Sequence, residues 1–354
     1  MINFKVQRYA FFALVAAALF GAGTPVAKVL LDDVPPVTLA ALLYLGSGAG
    51  LFAIHFGSRW FRPRNPEREA RLELSDYPWL AGAVIAGGVV APVMFLWGLS
   101  GSAASATSLL LNFESVITTL VAAAIFREAV SGRIWLAAMV MLSGGLLLSY
   151  DPNVRFSLSL NSIAVIGACL MWAVDNNLTR KISASDPTAI AMIKGLVAGT
   201  VNLVLGQIAG DTLPAIANVL GVMALGLFSY GVSLVLFIYA LRHLGSARTG
   251  AHFSTAPFIG AAAAILVLDE PLTATFMLAS ALMVLATWLV LSEQHEHEHT
   301  HEAMVHSHLH YHDEHHQHGH DGTEGPEPHA HTHAHPPLTH AHAHMPDIHH
   351  RHGH

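Results

Sequence analysis

The chain has 354 residues, 53% of them hydrophobic and only 12% charged, with a mean hydropathy of +0.48. That balance argues against a soluble domain with a charged shell, and a formal net charge of −7 provides no basic surface for nucleic acid. A single cysteine, Cys169, excludes an intramolecular disulfide and any CxxC metal site.

Ten apolar stretches follow one another, at residues 10–31, 35–56, 78–99, 103–126, 133–150, 160–179, 187–209, 216–240, 247–268 and 272–292. Each approaches the length of about 20 residues that a helix needs to cross a bilayer core. Lys5 and Arg8 precede the first stretch as they would a signal peptide. A signal core is about 7–15 residues long, however, and this run continues through Gly23, Thr24, Pro25 and Lys28 to Leu31. It reads as a retained span.

Positive charge then alternates from one connection to the next. With the N-terminus inside, thirteen Lys and Arg fall inside: Lys5, Arg8, Arg59, Arg62, Arg64, Arg68, Arg71, Arg127, Arg133, Arg180, Lys181, Arg242 and Arg248. Only Arg155 falls outside. Cationic flanks stay cytoplasmic, so both termini are expected in the cytoplasm and the chain in the cell membrane.

The chain also repeats itself. A shift of 142 residues places Phe95–Leu99 on Phe237–Leu241 and Glu128 on Glu270, and a shift of 152 places Phe20 on Trp172 and Pro35 on Pro187. The Arg-rich connection at 57–76 accounts for the difference. Residues 1–150 and 151–292 therefore read as two five-helix repeats, followed by a tail at 293–354. Five is odd, so the second repeat enters the membrane inverted, an arrangement that places a substrate site near the midplane of an alternating-access transporter. No HExxH or GxSxG spacing points to an enzyme.

A charge inside hydrocarbon costs about 3 kcal/mol or more, so mid-span ionisable residues mark cavities or partners. Glu114 lies mid-way along the fourth stretch. Lys194, about two turns into the seventh, is expected as its counter-ion or as the partner of a substrate carboxylate. In the sixth stretch Trp172 and Asn176 share a face, with Asp175 beside them. Asn112 is a further candidate, although it lies about 200° around a straight helix from Glu114. Tyr230, with Ser229, His252 and Thr255, completes the candidate lining, while Lys28 near a span end is suited to snorkelling. The dense small residues Gly46, Gly48, Gly50 and Ala261–Ala264 speak to close helix packing.

These stretches carry a family resemblance. Ser108–Leu148, SLLLNFESVITTLVAAAIFREAVSGRIWLAAMVMLSGGLLL, resembles the second half of the repeat in EamA-type members of the drug/metabolite transporter superfamily. There a helix with a mid-span Glu or Asn and Pro ends in a Gly-Glu pair. Ala168–Ser183, ACLMWAVDNNLTRKIS, is similar to the opening helix of that repeat, and Ser254–Thr273 repeats the helix ending in Glu. The resemblance covers residues 8–292 and implies an all-α fold of ten membrane helices that exports or imports a small organic molecule. The Arg often found in the family's second helix is absent around Leu42, Leu43 and Tyr44, with Lys194 in the equivalent place of the second half. The usual Pro after the mid-span Glu is Ser115, while Pro257 keeps it in the other copy.

Beyond Leu291 the composition changes. All but three of the 26 histidines (His55, His243 and His252 being the exceptions) lie there, among acidic residues and prolines. Such a segment is expected to be disordered. Its HxHxHxH runs, His295, His297, His299, His301, then His306, His308, His310, His312, and His329, His331, His333, His335, suit Zn, Ni, Co or Cu. The expected partners are therefore the bilayer, a small-molecule substrate and divalent transition metal ions, with a homodimer as a candidate assembly and no cofactor required for transport. The favoured reading is a metabolite exporter with a metal-binding tail. The alternative is efflux of the metal itself, or of a chelate, fed by the tail.

Overall fold

The computed structural model describes residues 4–61, 72–126, 132–148, 159–182, 185–292, 295–301, 304–310, 329–335 and 338–344. Arg62, Arg64, Arg68, Arg71, Arg127, Glu128, Arg155 and His312 lie outside the described residues. The body is helical: α1 (Phe4–Leu30), α2 (Pro36–Phe61), α3 (Tyr77–Ala83), α4 (Ala91–Ser100), α5 (Ala104–Leu110), α6 (Phe113–Phe126), α7 (Gly132–Leu148), α8 (Leu160–Ile182), α9 (Pro187–Ile208), α10 (Ile216–Gly226), α11 (Ser233–Phe253), α12 (Ala256–Leu268) and α13 (Ala274–Leu291).

Among the described residues six helical runs are long and apolar enough to cross a membrane: Gln7–Leu30, Pro36–Gly57, Leu74–Ser100, Pro187–Ile208, Ile216–Ala240 and Ala274–Leu291. Gly132–Leu148 and Ala256–Leu268 are shorter apolar helices. The fourth apolar stretch is divided between α5 and α6, and α8 carries Asp175, Asn176 and Asn177 where a plain span would be apolar. The protein is thus an all-α, multi-pass membrane protein.

Two kinds of irregularity interrupt the spans. A π-helical segment, Val84–Val90, joins α3 to α4, and another, Leu227–Val232, joins α10 to α11. Each widens a turn and re-aims the backbone carbonyls, a device frequent at functional sites. The second kind is a break. Between α5 and α6 the bonds from Asn112 N to Leu109 O and Glu114 N to Leu111 O, 3.1 and 3.0 Å, tighten the backbone at Leu111–Asn112. Ser254 and Thr255 similarly separate α11 from α12, with Thr255 N and Oγ1 both donating to His252 O. Shifted by 142, Val84–Val90 overlies the second π segment and the first break overlies the second to within a residue.

Helix α11 runs through the connection expected between the eighth and ninth stretches. A straight helix would separate Phe237 from Phe253 by about 24 Å. Their ring centroids are 4.8 Å apart, so the chain doubles back between them, where Arg242 and Arg248 lie.

Packing follows the small residues. A Cβ on Gly21 would meet Ala256 O at 2.3 Å, and one on Gly46 would meet Met223 O at 2.1 Å. Helices α1 with α12, and α2 with α10, thus cross at backbone contact, which larger side chains would prevent. Leu96 and Leu99 on α4, Leu110 on α5, Met141 on α7 and Met283 on α13 are fully buried in the core. Polar contacts collect at the two ends of the bundle. At one, Arg133 donates to Ser292 Oγ and Lys181 sits 5.8 Å from the Trp79 ring. At the other, Lys28 Nζ donates to Leu99 O and Ser100 O, both at 2.9 Å, and Thr38 donates to Asp211 at 2.8 Å.

The described residues of the tail form β1 (His295–His301), β2 (Met304–His310), β3 (His329–His335) and β4 (Leu338–His344). β1 pairs antiparallel with β4 and β2 with β3, as two separate two-stranded ladders. The His-x-His alternation has the period of two that a strand requires. The register sets His297 opposite His342 and His308 opposite His331.

Candidate functional site

The break at Leu111–Asn112 puts Glu114 in the first turn of α6. The positive end of the helix dipole favours a carboxylate in this first turn. Asn176 Nδ2, on α8, donates to Glu114 Oε1 at 2.8 Å. Glu114 is half-buried and Asn176 exposed, so the pair faces accessible space.

Lys194 on α9 is not the partner of Glu114, contrary to one of the two sequence expectations. It forms a buried ion pair with Asp175 Oδ2, whose other oxygen accepts from Thr179 Oγ1 at 3.0 Å. Helix geometry decides this: Asp175 precedes Asn176 by one residue, about 100° around α8, so the two side chains serve different neighbours. The Asp175–Lys194 pair remains close enough to act electrostatically on Glu114.

The first π segment supports this pair directly. A Cβ on Gly87 would lie 2.0 Å from Asp175 Oδ2, so only glycine lets the carboxylate approach. The re-aimed carbonyl of Gly87 accepts from the Tyr44 hydroxyl at 2.6 Å and from Trp172 Nε1 at 3.2 Å. Its neighbour Gly88 accepts from Asn202 Nδ2 at 3.1 Å.

Aromatic rings wall the same region. Tyr230 lies 5.4 Å from Tyr44 and 5.8 Å from Phe20, and Phe20 lies 6.4 Å from Trp172 and 5.7 Å from Phe253. Phe95 backs Trp172 at 5.5 Å. These rings belong to α1, α2, α4, α8, α11 and the second π segment, and they point toward one another. Phe20, Tyr230 and Phe253 nevertheless keep partial exposure.

Of the sequence candidates, Glu114, Trp172, Asp175, Asn176, Lys194 and Tyr230 thus come together. Asn112 does not: it is buried, its Nδ2 donates to Leu109 O at 2.9 Å, and its Oδ1 accepts from Thr287 Oγ1 at 3.3 Å. Lys28 is tied to the carbonyls at the end of α4, and Ser229 is buried 2.8 Å from where a Gly23 Cβ would stand. Phe20, Tyr44, Gly87, Phe95, Asn202 and Phe253 were missed; the only signal was that Phe20 and Trp172 align in the repeat. Among the described residues no three His, Cys, Asp or Glu are grouped to hold a metal ion.

At the bundle end that holds Lys28, Glu270 bridges α12 to α5. Its Oε1 accepts from Ala104 N at 2.7 Å and its Oε2 from Ser105 N at 2.9 Å. Asp269, at φ 51°, supplies the left-handed turn that ends α12 just before it. Asn161 Nδ2 donates to Gly101 O at 3.0 Å at the same end.

The EamA-like transporter family matches the chain twice, over residues 7–150 and 160–292. An uncharacterized transporter of Methanothermobacter thermautotrophicus is 31% identical over 274 residues, which span 73% of this chain and 78% of that relative. A crystal structure of a further protein is similar with a TM-score of 0.59 at 17% identity, over 80% of this chain and 98% of that one, a likeness of fold alone.

Proposed function

This chain belongs to the EamA-like transporter family, and on that premise we propose that it is a secondary transporter that exports a small organic metabolite across the cell membrane by alternating access. The observation that carries the reading is Glu114: a half-buried carboxylate at a mid-span helix break, bonded on one oxygen to the exposed Asn176. A polar group held at that depth, facing accessible space, has the chemistry of a substrate site.

Ten membrane helices in two inverted five-helix repeats fit the paired π segments and the paired helix breaks, each about 142 residues apart. The two ends of the bundle fit a topology with both termini in the cytoplasm, because Arg133 and Lys181 lie at one end while Lys28, Glu270 and Asp211 meet their partners at the other. In that orientation the Glu270 end is external and held shut by its polar contacts, and the site loads from the cytoplasm.

The tail, in this proposal, binds Zn, Ni, Co or Cu, and transport needs no cofactor. The cross-strand register of His297 with His342 and of His308 with His331 favours this role, since it brings imidazole-bearing positions into pairs. Metal efflux is the weaker reading, because Asp175 is taken by Lys194 and no three His, Cys, Asp or Glu are grouped at the site among the described residues.

Cells with and without the protein, compared for exported metabolites and for metal content, test the proposal. Export of an organic solute that is lost in Glu114→Gln and kept after deletion of residues 293–354 is the expected result. Metal tolerance that falls on deletion of the tail, with no exported metabolite, refutes it.

A further inference from the structure

The polar groups around Glu114 are only partly spent on one another. On the donor side, Lys194 bonds to Asp175, the Tyr44 hydroxyl and the Trp172 indole to Gly87 O, and the amides of Asn176 and Asn202 to Glu114 and Gly88 O, with further N–H groups left on Lys194 and on both amides. On the acceptor side, Glu114 accepts on Oε1 alone, and neither its Oε2 nor Asn176 Oδ1 has a protein donor among the described residues. The Tyr230 hydroxyl likewise makes no hydrogen bond among the described residues, while its ring packs on Phe20 and Tyr44.

Asp175 takes the ion pair with Lys194, so the Glu114 carboxylate has no ion-pair partner of its own among the described residues. One helical turn along α8 from its partner Asn176 stands Trp172, which opens the ring cluster of Trp172, Phe20 and Tyr230. A carboxylate with a free oxygen and an aromatic wall together form a receptor for a cationic nitrogen that carries N–H donors and an apolar body, because ring faces attract cations and the carboxylate accepts from them. Among the described residues a substrate carboxylate meets only a lysine already paired with Asp175, so an amino acid of the same skeleton would bring a buried negative charge without a partner of its own.

We propose that the site takes an organic ammonium ion, an alkyl- or arylalkylamine, in preference to the amino acid or the carboxylic acid of the same skeleton. This rests on the transport reading above and specifies its substrate class.

The test uses the purified full-length chain in detergent and titration calorimetry with three probes of one shape: phenethylammonium, L-phenylalanine and 3-phenylpropionate. Phenethylammonium binds at least about tenfold more tightly than phenylalanine, and 3-phenylpropionate does not bind. Glu114→Gln, which keeps the shape and removes the charge, weakens phenethylammonium by at least about tenfold. Asp175→Asn releases the charge of Lys194 and raises the affinity for 3-phenylpropionate. Should that variant fail to fold, the Glu114→Gln comparison decides alone.

Binding of 3-phenylpropionate or phenylalanine that equals that of the amine, and is lost in Trp172→Ala, overturns the substrate class and leaves the transport reading standing. Amine binding unchanged in both Glu114→Gln and Trp172→Ala places recognition elsewhere and removes both readings. The absence of binding by any of the three probes also overturns the proposed class.

Discussion

Gly87→Ala tests whether the first π segment and the Asp175–Lys194 pair form one unit. The new Cβ would stand 2.0 Å from Asp175 Oδ2, 2.3 Å from its Cγ and 2.6 Å from its Cβ. An ordinary contact begins near 3.4 Å, so the carboxylate oxygen that receives Lys194 must retreat by about 1.4 Å. Retreat separates a buried ion pair, for which losing one partner costs about 3–5 kcal/mol. Displacement of the Gly87 carbonyl weakens the bonds from Tyr44 and Trp172, each contributing about 0.5–1.5 kcal/mol. At about 2 °C per kcal/mol, the scale for larger chains, the midpoint of thermal unfolding in detergent falls by roughly 6–10 °C or more. Gly221→Ala is the control, because a Cβ there meets nothing within 4 Å and alanine suits a helix interior better than glycine. The measurement is the loss of the monodisperse size-exclusion peak after heating. A Gly87→Ala midpoint equal to that of Gly221→Ala would refute the close approach and, with it, the account of why glycine occupies this position.

Other expectations follow from single contacts. Glu270→Gln loses the charge of its two bonds to the start of α5 and loosens that end by about 1–2 kcal/mol; a cysteine placed at Ser102 then reacts faster with an impermeant thiol reagent added outside, and an unchanged rate contradicts the latch. Lys194→Met leaves Asp175 buried without a partner and lowers stability by about 3–5 kcal/mol, whereas Lys194→Met with Asp175→Asn recovers part of that loss; equal loss in both would show that the pair is not coupled. Reporter fusions after residues 64 and 292 are expected to report the cytoplasm, and two outside signals would reverse the topology. Deleting residues 293–354 leaves the thermal midpoint of the membrane domain unchanged. The full chain binds several Zn or Ni ions at neutral pH and releases them as pH falls, because metal needs neutral imidazole and imidazole protonates below about pH 6.5; binding retained at about pH 5 would assign the metal to other ligands.

The sequence determined the fold class and most of the candidate site, and for one reason: hydrocarbon admits few charges, so apolar runs of bilayer length mark helices and the exceptions mark a cavity. Glu114, Asp175 and Lys194 stand out on that ground alone. Pairing among them was decided by tertiary structure, because Asp175 and Asn176 are adjacent in the chain yet diverge around α8, one toward Lys194 and the other toward Glu114. Asn112 lies two residues from Glu114 and accepts from Thr287 instead, because it sits in the break that precedes α6 and faces away from the Glu114 side. Aromatic residues in an apolar span read alike whether they face lipid, core or cavity, so Phe20 and Tyr44 became lining residues only once four helices and a π segment had converged on them. The π segments themselves leave no mark in the hydrophobic pattern, since a span apolar on all sides has no periodicity for an inserted residue to disturb. That single widened turn nevertheless places the Gly87 carbonyl where Tyr44 and Trp172 can reach it.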